Sequence, residues 1–225
     1  MTAFQRARSE EQRETRRRTI LDTAAAMLDE MPVSEVSLNE LSRRVGLAKS
    51  NVLRYFESRE AILLELLDRA GKQWLAELDG LLSAGVDPGG DERRRGDQIA
   101  AVISASLASR QVLCDLVSAQ ASVLERNVSA EIAARYKRAT HENIAVLAAL
   151  VHRQLPGLGE GGSFRASGMV VLLAGALWSA TCPSTSMLAA FEADPALAAM
   201  RVDFAPALRE GISIILSGTL ARLSP

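Results

Sequence analysis

Lys49, Ser50, Asn51 and Arg54 project from a short segment in which Val52 and Phe56 recur one helical turn apart. Two cations, an amide and a hydroxyl on one short helix suit the edges of bases and the phosphates beside them. Arg and Lys match guanine, Asn matches adenine, and all can reach backbone oxygens. Upstream, Ser37 followed by Glu40 reads as a capping box: the serine oxygen accepts from the N–H three residues on, and the glutamate reaches back to the serine N–H. Leu38, Leu41 and Val45 then form one apolar stripe, and Gly46 supplies a left-handed residue to end that helix. Two short helices around a glycine turn, the second displaying basic and amide groups, are how a helix is set in the DNA major groove. Ser37, Tyr55 and Arg59 are placed for phosphates. A plain helical hairpin in an all-α protein is the other reading of this pattern.

The stretch GLAKSNVLRYFESREAILLELL sharpens the choice. It closely resembles the recognition-helix signature of TetR-family transcriptional regulators. In that family a Gly-hydrophobic-small-Lys turn leads into a short helix ending in Phe, followed by a Ser-Lys/Arg-Glu start to a long fourth helix. Gly46, Leu47, Ala48, Lys49, Phe56, Ser58, Arg59 and Glu60 fill those places here. Leu53 departs from the pattern, standing where the family usually carries a tyrosine that touches the DNA backbone. Arg54 and Tyr55 are the neighbours able to cover that contact. The resemblance is specific over about residues 15–65 and general elsewhere. It implies a double-stranded DNA operator, a homodimer and a small-molecule effector enclosed by the middle helices.

Other chemistry finds less support. Gly157-Leu158-Gly159-Glu160-Gly161-Gly162 superficially resembles a phosphate loop, but it follows a helix rather than a strand. His141-Glu142 opens like a zinc-protease motif, yet Ala145 occupies the second ligand position; His141 and His152 could share a helix face. Cys114 and Cys182 form no metal-type pair, and two buried thiols in a cytoplasmic protein are expected. No Ser, His and Asp grouping stands out. The expectation is a non-enzyme without cofactor or metal.

The elements that must position these groups follow from composition and pattern. At 225 residues, rich in Ala and Leu, 4% aromatic and without sustained Val/Ile alternation, the chain is expected to be all-α. The formal net charge of −1 argues against a protein that coats nucleic acid through global charge. Local patterning differs: Arg43, Arg44, Lys49, Arg54 and Arg59 face the single acid Glu57 between positions 43 and 59. An N-terminal arm adds Arg6, Arg8, Arg13, Arg16, Arg17 and Arg18, diluted by Glu10, Glu11 and Glu14; it reads equally as a solvated tail or a DNA-contacting one. The start has no apolar run and no signal for secretion, and the apolar part of 166–188 is too short to span a bilayer.

Helices are expected over 11–30, 49–56, from a Ser58 cap past Leu81, and over 92–108, 109–125, 129–154, 164–181, 186–200 and 204–223, with loops at 85–91 and 156–163. The N-terminal three-helix module at 1–60 is expected to bind DNA, and 61–225 to bind effector and dimerise, with the fourth helix as the rod between them. Trp74, Cys114, Gln120, His141, Met169 and Trp178, large or polar residues on aliphatic helices, are the candidate effector contacts. Because the region is largely apolar, the effector is expected to be hydrophobic or weakly polar. Gly168 and Gly175, and likewise Gly211 and Gly218, are seven apart on their helices, so each pair lies on one face. Glycine within a helix costs roughly 1 kcal/mol against alanine, which close backbone approach can offset. Intrachain packing and a four-helix dimer interface both provide it, and the resemblance implies the second. The resulting reading is a repressor released by its ligand; its rivals are a small-molecule carrier or an interaction adaptor without specific DNA binding.

Overall fold

The computed structural model describes residues 3–223, the side chains of 3–9, 121 and 122 excepted, so Arg6 and Arg8 of the basic arm lie outside the described side chains. The described residues form helices and turns without a strand: α1 (Ala3–Glu30), α2 (Leu38–Val45), α3 (Lys49–Val52), α4 (Arg59–Gly85), α5 (Glu92–Ala108), α6 (Gln111–Ala119), α7 (Ala130–Gln154), α8 (Gly159–Thr181), α9 (Thr185–Ala193), α10 (Pro195–Ala198) and α11 (Phe204–Leu223). Their starts repeat one device, a short side-chain oxygen taking a first-turn N–H. Ser58 accepts from Ala61 N at 3.1 Å, Asp91 from Arg94 N at 2.8 Å, Ser129 from Ile132 N at 3.3 Å and Ser184 from Met187 N at 3.3 Å.

The buried side chains form one continuous cluster. Ile20, Ala24 and Met27 of α1 meet Leu41, Val52 and Phe56, and the first turns of α4 close that core with Ile62 and Leu63. Farther along, α4 carries Trp74, Leu78 and Leu82 into a second core with α5 to α8 and α11. There α5 packs on α11, α7 on α4 and α8, and α8 on α6 and α11. The rod expected of the fourth helix is thus a 27-residue helix belonging to both cores. No residue of α9 or α10 is buried.

Several expected boundaries shift for identifiable reasons. The third helix is regular only over Lys49–Val52, then tightens into turns in which Tyr55 N and Phe56 N both donate to the Val52 carbonyl. Gly159, at φ +60°, starts α8 five residues early rather than prolonging a loop. Gly161 and Gly162 then lie inside the helix, where a Cβ on Gly162 would come within 3.0 Å of Leu223 on α11. The helix expected over 109–125 ends at Ala119, and a π turn follows at Gln120–Leu124. Asp194-Pro195 divides the one expected over 186–200.

The paired glycine faces also divide. A Cβ on Gly175 would lie 3.1 Å from Val117 Cγ1 and 3.3 Å from the Val117 carbonyl oxygen, and one on Gly211 would collide with Leu173. These two glycines serve packing within the chain. Gly168 and Gly218 face open space. Helix Pro156–Thr181 is apolar and long enough by composition to cross a bilayer, at mean hydropathy 1.3, yet its Ser163, Ala166, Val170 and Ala174 are buried in the seam with neighbouring helices.

Candidate nucleic-acid interface and effector cavity

The helix-turn-helix is built from short-range rules. Gly46 adopts φ 70°, and its N–H and that of Leu47 return to the Arg43 and Ser42 carbonyls. Ser37 Oγ accepts from Glu40 N at 3.2 Å, the first half of the expected capping box. The second half is absent, because the Glu40 carboxylate turns to Arg43 at 2.6 Å and Arg44 at 2.8 Å. Hydrogen bonds from those guanidiniums hold its pKa down at about 2. Arg44 also meets Glu30 at 2.8 Å, so both arginines after the α2 stripe are committed within the module.

Val52 and Phe56 are buried beneath α3, leaving Lys49, Ser50, Asn51 and Arg54 exposed together on its outer side. Leu53 is 40% exposed beside them, while Tyr55 is half-buried at the edge. Among the described residues Lys49 and Arg54 pair with no carboxylate. Ser37 is exposed at the α2 start, its oxygen serving as the cap. Arg59 is placed differently from the expectation: its guanidinium donates to the Val33 carbonyl and meets Glu60 at 3.3 Å. It ties α4 to the loop after α1 instead of facing outward. Arg17 does similar work, stacking over the Phe56 ring at 4.6 Å and making a two-pronged pair with Glu65 of α4.

The two cores are also linked by hydrogen bonds. Val33 N donates to Asp115 Oδ2 of α6 at 2.6 Å, and Ser129 N at the α7 cap donates to Glu57 Oε1 at 2.7 Å. The latter bond lowers the Glu57 pKa. Helix α6 therefore grips the loop between α1 and α2, and the α7 cap grips the turn that follows the recognition segment.

A cavity of about 70 Å³ lies between α4, α6, α7 and α8. Trp74 and Gln120, two of the candidate effector contacts, line it. The Trp74 indole donates to Ser106 Oγ at 3.0 Å, and Gln120, on the π turn, donates to Glu125 at 2.7 Å. The other four expected contacts lie elsewhere. Cys114 is buried just outside the lining, its thiol donating to the Leu107 carbonyl at 3.3 Å, and burial pushes its pKa up to about 12. His141 is exposed and tilted against Phe164, ring centroids 5.1 Å apart. Met169 is 46% exposed on α8. Trp178 packs edge-on against Phe204 and lines a separate groove, near 780 Å³, together with Asp115 and Cys182. Cys182 is exposed, against the expectation of two buried thiols.

The polar lining that sequence reasoning missed comes from α7 and α4. Tyr136, Thr140 and Asn143 recur at four- and three-residue spacing with Leu147, so hydroxyls and an amide share one face of an amphipathic helix. Asn143 donates to Asp68 Oδ1 at 3.0 Å, and burial raises the Tyr136 pKa.

Comparison with known proteins fits this architecture. Residues 20–66 match the family described as bacterial regulatory proteins, tetR family, and residues 68–223 match the tetracyclin repressor-like C-terminal domain. The HTH-type transcriptional regulator EthR of Mycobacterium tuberculosis is 39% identical over 54 residues, 24% of this chain and 25% of EthR. The matched stretch thus spans about a quarter of that relative. Among solved structures, a TetR transcriptional regulator from Rhodococcus sp. RHA1 superposes at TM-score 0.52 with 15% identity, covering 94% of this chain and 98% of that one. The fatty acid degradation regulator FadR from Bacillus halodurans gives 0.53 with 13% identity over 90% and 95%. FadR from Bacillus subtilis, solved with stearoyl-CoA, gives 0.52 with 13% identity over 89% and 97%. At such identities these structures speak to the fold. The two family matches span nearly all of residues 20–223, and the chain belongs to the tetR family of bacterial regulatory proteins.

Proposed function

We propose that this chain is a cytoplasmic, homodimeric transcriptional repressor, released from a double-stranded DNA operator by a small, largely hydrophobic effector. The observation that carries the reading is the outer face of α3 and the turn after it, where Lys49, Ser50, Asn51 and Arg54 stand exposed over a buried Val52 and Phe56. Lys49, Asn51 and Arg54 are the base-reading side chains, while Ser37 and Tyr55 sit beside them for phosphates. Residues 1–60 then form the DNA-binding unit and 61–225 the effector-binding and dimerising one. The family's regulatory character favours this over a carrier, an adaptor or an enzyme.

A single recognition helix reads few base pairs, so selectivity calls for two, related by a two-fold axis. Met169 and Leu172 of α8 and Ile214 of α11 are 46%, 71% and 60% exposed, on the helices where Gly168 and Gly218 face open space. That apolar face supports an α8–α11 dimer interface.

The cavity suggests how an effector acts. Drug-sized ligands need several hundred Å³, whereas about 70 Å³ stands open here. An effector therefore favours a state in which α6 and α7 stand farther from α4. Those two helices hold Val33 of the α1–α2 loop and Glu57 just after the recognition segment, so their displacement shifts the module that carries α3. Gel shifts with DNA flanking the gene, followed by metabolite screening for release, test the proposal. Specific, salt-sensitive retardation reversed by a hit supports it; no sequence preference on any flanking or selected DNA would refute it.

A further inference from the structure

Helix α1 begins well before the module it serves. The match to the tetR family starts at residue 20, and Ile20 is fully buried, yet α1 reaches back to Ala3. At about 1.5 Å per residue, it runs ~25 Å ahead of Ile20. From Glu10 to Thr19 no side chain is buried, and only Arg17 is half-buried, against Phe56 and Glu65.

One side of this stretch faces the recognition segment. Between them lies an open trough of about 1140 Å³ into which Arg13 and Arg16 project from α1, and Asn51, Arg54 and Tyr55 from the recognition segment. Among the described residues none of these three arginines pairs with a carboxylate; Glu11 is the acid along the rim. Arg17, Arg43, Arg44 and Arg59, by contrast, are all engaged within the fold. Unpaired guanidiniums thus line the side of α1 nearest the residues proposed to read bases.

We propose that the α1 extension is a second DNA-binding surface that straddles the sugar–phosphate strand bordering the major groove, with Arg13 and Arg16 each on a backbone phosphate. The inference rests on α3 being the recognition helix. The trough shares Asn51 with that helix and Arg54 and Tyr55 with the turn that ends it, so its occupant is continuous with whatever this segment touches. The strand edging a groove about 12 Å wide meets that requirement. Phosphate contacts carry no base code, so they act on affinity and salt dependence and not on sequence choice.

The test uses the full chain carrying both R13A and R16A, titrated by fluorescence anisotropy onto a selected operator duplex and an unrelated duplex across a salt series. Each phosphate contact contributes about 0.9 to the slope of log affinity against log salt, so the slope falls by about 1.8 per subunit. Affinity falls about tenfold or more, by the same factor on both duplexes, while R13K with R16K keeps most of it. Both arginines are exposed, so circular dichroism and melting stay as in the parent. Unchanged slope and affinity, with the parent binding normally, overturn this inference and leave the α3 reading standing. A loss confined to the operator also overturns it. A parent protein that binds neither duplex overturns both readings.

Discussion

Gly168→Leu and Gly218→Leu place bulk on faces that the subunit itself leaves empty. A Cβ at either position meets nothing within 4 Å, so a side chain leaves either backbone toward open space. Replacing a helical glycine also recovers roughly 1 kcal/mol of propensity. The folded subunit should therefore melt at the same temperature or a few degrees higher, about 2–4 °C per kcal/mol for a chain of this size. The dimer should respond oppositely. If α8 and α11 form a two-fold interface, each substitution appears twice, and overpacking costs about 1–3 kcal/mol per site. Dimer association then weakens by about 2–6 kcal/mol, a rise in Kd of about 30-fold to 10⁴-fold. Sedimentation velocity over a concentration series reads the dimer, and melting at a dilution where the parent too is monomeric reads the fold. Gly175→Leu is the control: its Cβ would press on the Val117 backbone oxygen, which cannot move aside, so it lowers the melting temperature first. Unchanged dimer affinity in both Gly168→Leu and Gly218→Leu would refute the assignment of this face.

Three further outcomes follow from local geometry. Gly46→Ala forces a Cβ into φ 70° in otherwise open space, so it should cost about 1–2 kcal/mol by backbone strain alone; equal urea midpoints for the two proteins would contradict this. Iodoacetamide at pH 8 should label exposed Cys182 in the folded protein and spare Cys114, whose thiol is pushed up to about 12, until denaturant is added; equal labelling rates by mass spectrometry would show Cys114 to be accessible. Glu40, held at about 2 against an ordinary 4.5, stabilises α2 fully above about pH 4.5 and loses that contribution as pH falls toward 2. The melting-temperature gap between the parent and Glu40→Gln should therefore close across that window, and a gap constant with pH would contradict the pairing.

What was legible in the sequence is what short-range chemistry decides. Gly46 had to be left-handed where an apolar stripe stopped, and Ser58 had to cap a helix whose apolar residues ran on for more than five turns. The buried anchors Val52 and Phe56 follow from spacing, which in turn leaves Lys49, Ser50, Asn51 and Arg54 outside. The errors arise where a residue had a choice of partners. Glu40 prefers two guanidiniums three and four residues on to the Ser37 N–H, and Arg59 finds the Val33 carbonyl across a loop. Size and polarity single out effector candidates in the sequence but carry no information on the rotation of each helix. That rotation turns His141 and Met169 outward and brings Tyr136, Thr140 and Asn143 into the cavity. The ends of α6 and α8 depend on packing: Gly162 is admitted into a helix because Leu223 and Thr219 close over it, an arrangement of α11 that no window of α8 encodes.

The central claim is that the exposed face of α3 reads bases, and one binding profile tests it. Operator affinity would be measured for the parent and Arg54→Ala against every single-base variant of a selected site. The account predicts that discrimination falls by about 1–3 kcal/mol at one symmetry-related pair of positions and is retained at the others. A profile identical in shape to that of the parent, whether or not overall affinity drops, would show that Arg54 does not read sequence and would contradict the account.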